Sequence, residues 1–522
     1  MTELLTSTLD AQNHRDIMQL FKRLVVIAGF CSGGLTGCGD QPLSALPPLE
    51  RVILTSERRL VPAHPIGPDL GNPALFENLP QYLALGYGEL RVLPGDRHYA
   101  RTLDGRPPPE QLGPSARRLL RFVSVGDFQL MDDESPTRVG ILDAKEITGS
   151  ALRPQDPYMC HLANAAVRTI NALHRMDPLS MVFVGGDTLD NAQENEAEWA
   201  LSILTGGQPV ECDSGEDDDL IPGPANDPKD PFLPEGLLVP WKWVPGNHDM
   251  LIQGNGVVDS SRIEVAMGDF APFGTRDYRQ GGSVIQKPII ADARRRPLKP
   301  IELMLKLAQH GDGHGLTQSQ AETGHASYFF DIAGTPLRFL VLDTVSKTGG
   351  AGGVLRWSEV NKYIRPALDA ARREGKWVIV FSDNAYDDLG QANLPFGQPV
   401  SDAVTPDEWL RFMGGYENVL FTMARSFDQA VRALHPTSGH SYWDVLNGAL
   451  GDSPHQLRLF ELWDADNGYV LLRVTCVDVS VDGDPLAEEG RRRAITDVTS
   501  TWRSGPVSKP DERNVDLWIR KP

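Results

Sequence analysis

The sequence is poor in cysteine and in positive charge, and its apolar runs are too short to cross a bilayer. Its 522 residues contain five cysteines, and 50 lysines and arginines stand against 70 aspartates and glutamates, for a formal net charge of −20. This acidic balance argues against a groove that binds nucleic acid through its phosphates. Beyond the N-terminal segment only Cys160, Cys212 and Cys476 remain. Their wide spacing predicts neither a disulfide framework nor a zinc knuckle, so we expect the core to hold the fold.

Several common catalytic motifs are also missing. The chain has no Gly-x-Ser-x-Gly, no Gly-x-Gly-x-x-Gly that opens a helix, and no phosphate loop that ends in Gly-Lys-Ser or Gly-Lys-Thr. These absences argue against a serine hydrolase, a dinucleotide-binding enzyme and a nucleotide triphosphatase. What is present, 41% hydrophobic and 23% charged residues, is enough for a sizeable folded core.

The N-terminal segment resembles the signal of a bacterial lipoprotein. A basic pair precedes an apolar stretch at residues 24–35, and small residues then lead to Cys38. We expect residues 1–38 to be a signal region, with Met18 as a possible true start, and Cys38 to carry a lipid. The protein would then lie at the bacterial cell envelope and touch the membrane through this anchor only. The alternative is a buried strand with a chance cysteine.

The rest of the chain alternates apolar strands with helical patterns, which predicts an α/β fold with a largely parallel sheet. The predicted organisation is a Pro-rich linker and N-terminal extension at 39–114, a catalytic domain at 115–480 with loop insertions at 205–238 and 250–325, and a C-terminal helix and tail at 481–522.

Three predicted strands end in a glycine followed by polar residues. The stretches are "VSVGDFQ" with Asp127, "VFVGGDTLDN" with Asp187, and "WVPGNHD" with Asn247, His248 and Asp249. In an open α/β sheet, ligands bind outside the carboxyl ends of the strands, so we expect these tips to meet in one crevice. A single Gly-Asp is most often only a turn or a helix cap. Three in order, the last of them Gly-Asn-His-Asp, favour a catalytic site.

The residue types at these tips suit a pair of divalent cations. Asp187 can bridge two metal ions, while Asp127 and Asn247 each add one oxygen to a different ion. Two metals about 3.5 to 4 Å apart activate a water and hold a phosphoryl group for in-line attack. His248 can stabilise the developing charge or protonate the leaving oxygen, with Asp249 orienting its ring.

These motifs resemble those of the calcineurin-like metallophosphoesterases over about residues 121–479. The resemblance implies an α/β four-layer sandwich, in which two mixed β-sheets are flanked by helices, with long loop insertions. It also implies hydrolysis of a phosphate mono- or diester with two divalent metal ions such as Mn, Fe, Zn or Mg. The substrate would be a phosphorylated small molecule or a phosphodiester. Asp127, Asp187 and Asn247 would be metal ligands, and so would Gln129, which stands where the family usually has a histidine.

The last two motifs of the family depart from its pattern. Asp383 occupies the position of a single histidine, and an aspartate can still ligate the same metals. For the closing Gly-His-x-His, His440 in "SGHSYWD" is one candidate, and we expect it to be the remaining ligand. The competing candidate is the tip of "NVLFTMARSFD", where Asp428 with Asp383 would give an all-oxygen site. The missing histidines also leave open a second function, that of a catalytically weakened protein which binds a phosphorylated ligand or partner at the cell envelope.

Overall fold

The computed structural model of the protein describes residues 43–64, 67–146, 148–215, 226–277, 283–285, 288–390, 397–505 and 508–522. Within it, residues 44–522 form one compact unit. The predicted signal region, with Met18 and Cys38, lies outside the described residues.

Strands and helices alternate over much of the chain, as the sequence pattern predicts, but five strands follow one another between residues 419 and 478. The strands are β1 (Arg58–Pro62), β2 (Leu90–Pro94), β3 (Tyr99–Thr102), β4 (Arg117–Gly126), β5 (Met181–Gly185), β6 (Trp241–Val244), β7 (Thr275–Asp277), β8 (Ser283–Ile285), β9 (Tyr328–Asp331), β10 (Leu337–Leu342), β11 (Trp377–Ser382), β12 (Val419–Arg425), β13 (Ala430–Leu434), β14 (Tyr442–Asn447), β15 (Gln456–Asp464), β16 (Tyr469–Asp478) and β17 (Val515–Arg520). The α-helices are α1 (Leu79–Ala84), α2 (Met159–Met176), α3 (Glu194–Thr205), α4 (Asn247–Met250), α5 (Ser260–Met267), α6 (Pro300–Gln309), α7 (Gln318–Thr323), α8 (Trp357–Glu359), α9 (Arg365–Arg373), α10 (Pro406–Gly414), α11 (Pro485–Thr499) and α12 (Pro510–Arg513).

Two large mixed sheets contain most of these strands. The first has the order β3-β17-β16-β15-β4-β5-β6, and in it β4, β5 and β6 run parallel. The second has the order β13-β14-β12-β11-β10-β9, and in it β10, β11, β12 and β14 run parallel between antiparallel edges. The remaining strands form two small antiparallel sheets of two strands each, β1 with β2 and β7 with β8. The prediction of a mixed α/β fold is therefore confirmed.

The two large sheets share an aromatic core. The Phe122 ring on β4 stacks on the Phe460 ring of β15. Its centroid lies 5.6 Å from the ring centroid of Phe339 on β10, in the other sheet. Phe183 on β5 lies 5.2 Å from Phe381 of β11. Edge-to-face and offset contacts of this kind add to the free energy gained by burying the rings. They join the faces of the two sheets.

The outer faces of the sheets are covered by helices. The side chains of strand β10 point alternately to its two faces. Phe339 and Val341 pack in the core that the two sheets share, and Leu340 and Leu342 pack in a second cluster on the outer face. That second cluster contains residues of α9 and α10, among them Trp409. On the first sheet, residues of α2 and α3 belong to the main cluster. This arrangement of two mixed sheets with flanking helices is compatible with the expected sandwich.

The flanking segments belong to the sheets more closely than the sequence indicates. Strand β3, within the predicted linker and extension, pairs with β17, within the predicted tail, and both complete the first sheet. The segment at 250–325, expected to be a loop insertion, contains α5, α6 and α7. Helix α6 begins with Pro300 and buries Leu303, Met304 and Leu307, a local pattern that is hard to separate from loop in a Pro-rich context.

The expectation that the scattered cysteines form no disulfide is wrong. Cys160 in the first turn of α2 is bonded to Cys212, which follows α3, across a sequence separation of 52 residues. Cysteine spacing does not predict this pair, because α2 and α3 meet only in the tertiary fold. Cys476 is buried and has a free thiol. In the described part of the chain, no helix combines the length and the apolar character that a bilayer crossing requires.

Candidate active site

The tips of three parallel strands of the first sheet meet in one place. The Asp127 amide, after β4, donates to the Gly186 carbonyl at 3.0 Å, and the Gln129 amide donates to the Asp187 carbonyl at 2.9 Å. The His248 amide, in the first turn of α4, donates to Asp187 Oδ1 at 2.8 Å. The predicted convergence of Asp127, Asp187 and His248 is therefore observed, and Asp187 lies at its centre.

The backbone at these tips is held in an uncommon conformation. Asp127, Gln129 and Asp187 have φ angles of 59°, 42° and 43°, in the left-handed region that residues other than glycine rarely adopt. Such positions cost free energy and persist where the surrounding structure imposes them, often at functional sites. Here the hydrogen bonds between the tips impose them, and the result is to direct Asp127 and Asp187 towards a common point.

The second sheet contributes Asp383, which follows β11. Its side chain comes so close to Gly186 that a Cβ at that glycine would collide with the Asp383 carboxylate. Gly186 also has a φ of 68°. The glycine before Asp187 is thus required both by its backbone angle and by the approach of the two sheets.

Arg425, the last residue of β12, places its guanidinium among the predicted metal ligands. Its Nε donates to Asp383 Oδ1 at 2.7 Å, and its Nη2 lies 2.9 Å from Asp187 Oδ2 and 3.2 Å from Asn247 Oδ1. Its Nη1 lies 3.6 Å from Asp127 Oδ2. One guanidinium therefore lies close to oxygens of four predicted ligands, which come from both sheets.

Asn247 presents its carbonyl oxygen to this cluster because its amide nitrogen is used elsewhere. Asn247 Nδ2 donates to the Gly254 carbonyl at 2.9 Å, which leaves Oδ1 directed at the guanidinium of Arg425. The carboxamide is buried, with 3% of the residue exposed. The carboxamide in Gly-Asn-His-Asp thus has the orientation of a cation ligand.

The buried carboxylates of this site are only partly compensated by the positive charge of Arg425. Burial raises the pKa of Asp127 to about 7, although Arg425 opposes the shift and Asp187 adds to it. Burial likewise raises the pKa of Asp383 to about 6 against the same arginine. The three carboxylates in turn outweigh the effect of burial on Arg425 and raise its pKa further. A further cation at this site would be stabilised by these groups.

His248 is held in its protonated form. Burial alone would lower its pKa, but the Asp187 carboxylate and the hydrogen bond to Asp190 outweigh burial and raise the pKa to about 9. His248 Nδ1 donates to the Asp190 carbonyl at 2.8 Å and lies 3.4 Å from its carboxylate. The ring is therefore fixed through Nδ1, and Nε2 is the nitrogen that can face a substrate.

The predicted role of Asp249 in orienting this ring is wrong. The Asp249 carboxylate accepts hydrogen bonds from the Gly246 and Leu189 amides at 2.9 and 3.0 Å, so it ties the strand tips together. Burial, with the charge of Asp187, raises its pKa to about 8. Asp190 orients His248 instead. The signal for it was present in "GDTLDN", three residues after Asp187, but only the fold brings it to the histidine.

The structure does not bring His440 to the cluster, so our choice of His440 as a ligand beside Asp187 is wrong. His440 precedes β14, which runs parallel to β12 and pairs its last residue, Asn447, with Arg425. His440 therefore lies at the opposite end of the strand, roughly 20 Å away at 3.3 Å per residue. It lines a small cavity together with Asp104 and Trp518. The Gly-His turn begins a strand here, whereas a ligand at this site must follow one.

The competing candidate is the segment after β12. The end of β12 does reach the site, and the residue that reaches it is Arg425 rather than Asp428. Asp428 lies in the turn between β12 and β13, where its amide donates to Ser426 Oγ at 3.3 Å. Gln129 lies beside the cluster, and its Oε1 is directed towards Gly451. Arg425 is not among the ligands expected from the sequence, because a guanidinium does not ligate metals. The signal that would have found it is the basic residue at the end of an apolar parallel strand.

The side of the cluster at Asp127 fits a metal ion better than the side formed by Asp383 and Asn247. Asp127 Oδ1 is buried without a hydrogen-bond partner, and buried carboxylate oxygens of this kind suit a hard divalent cation. The side formed by Asp383 and Asn247 is already filled by Arg425. Because Arg425 occupies that side, the residues do not fit the two-metal centre that the resemblance implies.

No protein-family model matches this sequence, and a comparison with curated proteins finds no significant match.

Proposed function

We propose that this chain is a metal-dependent phosphoesterase that hydrolyses a phosphate mono- or diester, as its resemblance to the calcineurin-like metallophosphoesterases implies. The observation that carries the proposal is the meeting of Asp127, Asp187, Asn247 and His248 at the carboxyl ends of β4, β5 and β6. That edge of a parallel sheet is where α/β folds bind their ligands.

His248 supplies the proton chemistry in this proposal. The hydrogen bond from Nδ1 to Asp190 leaves Nε2 of a protonated ring to donate to a phosphoryl oxygen or to protonate the leaving oxygen. Asp190 holds the ring through Nδ1 while this proton moves. Loss of such a group lowers turnover by roughly two to four decades.

Charge balance supports the need for a metal ion. Asp127, Asp187 and Asp383 surround a single guanidinium, and His248 is already paired with Asp190, so the ionised carboxylates would repel a phosphate. A divalent cation held by Asp127 and Asp187 would reverse that sign and supply Lewis acidity towards the phosphoryl group.

The second candidate function is that of a weakened member that binds a phosphorylated ligand or partner without hydrolysing it. The observation that favours it is Arg425, which fills the side of the site where the resemblance places a second metal. Either function fits the proposed location at the cell envelope, because the disulfide Cys160–Cys212 is typical of oxidising compartments.

The test is a hydrolysis assay on chelator-treated full-length protein to which Mn²⁺, Zn²⁺, Fe²⁺ or Mg²⁺ is returned. We expect release of nitrophenol from 4-nitrophenyl phosphate or bis(4-nitrophenyl) phosphate with at least one ion, and a loss of roughly two to four decades in His248→Ala. His435→Ala, an exposed histidine at the end of β13, is the matched control and should keep full activity. Binding of inorganic phosphate without hydrolysis under any ion would favour the second candidate. Neither binding nor hydrolysis would contradict both.

A further inference from the structure

We infer that the guanidinium of Arg425 takes the place of one of the two metal ions, so that the site holds a single divalent cation between Asp127 and Asp187. The inference rests on the proposed function, because it assumes that the cluster is a metal site at all. It concerns this chain's own residues and departs from the two-metal centre that the resemblance implies.

The first argument is the set of contacts that Arg425 makes. Asp383 Oδ1, Asp187 Oδ2 and Asn247 Oδ1 all lie between 2.7 and 3.2 Å from its nitrogens. A metal ion that used the same three oxygens would sit about 2.0 to 2.2 Å from each of them. That position coincides with the guanidinium, so the arginine and a metal ion cannot both occupy the space between these three oxygens.

The second argument is that Arg425 closes only one side of the cluster. Its Nη1 is 3.6 Å from Asp127 Oδ2, beyond a normal hydrogen bond. Asp127 Oδ1 is buried and has no hydrogen-bond partner. A buried carboxylate oxygen left without a partner is costly, and a cation beside Asp127 would satisfy it. The side towards Asp127 can therefore still take an ion.

The third argument is the position of Arg425 in the sequence. The segment Ala424-Arg425-Ser426-Phe427 ends β12, in the register where the resemblance has its closing Gly-His-x-His. Arginine thus stands at the first histidine of that motif and Phe427, 56% exposed, at the second. A neutral ligand that recruits a cation has been exchanged for a side chain that is itself the cation.

Arg425 is held in place rather than resting there by chance. Its side chain is 17% exposed, and the carboxylates of Asp127, Asp187 and Asp383 are between 0 and 3% exposed. Moving the guanidinium into solvent would leave three buried carboxylates close together without its charge. A second metal ion would have to offset that cost before it could enter.

The experiment counts bound Mn²⁺ in the chelator-treated full-length protein by equilibrium dialysis and records its electron paramagnetic resonance spectrum. We expect wild type to bind about one Mn²⁺ per chain and to give the six-line spectrum of an isolated ion. Arg425→His restores an imidazole and should bind about two ions with the broadened, exchange-coupled spectrum of a pair. Arg432→His, whose arginine pairs with Asp387 and Asp444 in the same sheet, is the matched control and should stay at one.

The outcomes separate this inference from the proposed function. Two coupled ions in wild type would overturn the inference while the proposed function stands. One ion in both wild type and a folded Arg425→His protein would overturn the replacement of a metal by Arg425, again without touching hydrolysis. No bound ion in wild type would overturn the inference together with metal-dependent hydrolysis. If Arg425→His does not fold, the wild-type count still tests whether the site holds a single ion.

Discussion

Replacing Arg425 by methionine removes the positive charge that three buried carboxylates share. Methionine fills much of the same volume, so the change tests charge more than packing. Asp187 and Asp383 would each lose their closest ionic partner, at 2.9 and 2.7 Å. Removing one partner of a buried ion pair leaves an uncompensated charge and costs about 3 to 5 kcal/mol. We therefore expect the free energy of unfolding of the metal-free protein to fall by this amount at pH 8.

The loss should shrink as the pH falls. Burial raises the pKa of Asp127 to about 7 and that of Asp383 to about 6, while Arg425 opposes both shifts. Without Arg425 both values rise further. A carboxyl whose pKa is higher in the folded state than in the unfolded state destabilises the fold. This penalty is complete above the folded-state pKa and disappears below the unfolded pKa near 4. The difference between variant and wild type should therefore be largest above pH 7 and small near pH 4.

The assay is urea unfolding in the presence of a chelator at pH 8, 6 and 4, followed by tryptophan fluorescence. Arg411→Met, an exposed arginine on α10, is the control and should change the free energy of unfolding by no more than about 0.5 kcal/mol. The reasoning is refuted if Arg425→Met is as stable as wild type at pH 8, or if its loss of stability grows as the pH is lowered.

Three further predictions address the metal, the disulfide and the anchor. Asp187→Asn should lose most of its bound metal, measured by elemental analysis, because a neutral amide holds a cation poorly; unchanged metal content would remove Asp187 from the site. Cys160→Ser opens the link to Cys212 across 52 residues and should lower the free energy of unfolding by about 4 kcal/mol in urea, whereas equal stability would deny the disulfide in solution. Cys38→Ser should abolish lipid attachment seen by mass spectrometry, and an unlipidated wild-type protein still carrying Met1 or Met18 would contradict the predicted anchor.

The elements that the sequence predicts best are those with a strong local pattern. Strands β4 and β5 end at a glycine and β6 ends two residues before one, and the parallel order of the three strands makes Asp127, Asp187 and Asn247 neighbours. The rule that ligands bind at carboxyl ends of parallel strands then places the site without further information. This part of the site follows from periodicity and turn chemistry alone.

The parts that the sequence does not predict depend on contacts between distant segments. His440 shows this most clearly. Its Gly-His pair matches a ligand motif, but it precedes β14 and therefore lies at the amino end of the parallel strands, away from the site at their carboxyl ends. Asp190, and not Asp249, contacts the His248 ring for a similar reason. The loop after β5 brings Asp190 to the ring, and the sequence does not show this path. The sequence does not single out Arg425, because an arginine among carboxylates is a cation and not a metal ligand.

Diffraction from crystals soaked in Mn²⁺, with data collected at the manganese absorption edge, tests the central claim most directly. We expect one anomalous peak per chain, roughly 2.0 to 2.6 Å from carboxylate oxygens of Asp127 and Asp187, with Arg425 still bound to Asp383. A fully soaked crystal with no peak at these carboxylates would contradict a metal-dependent phosphoesterase at this site.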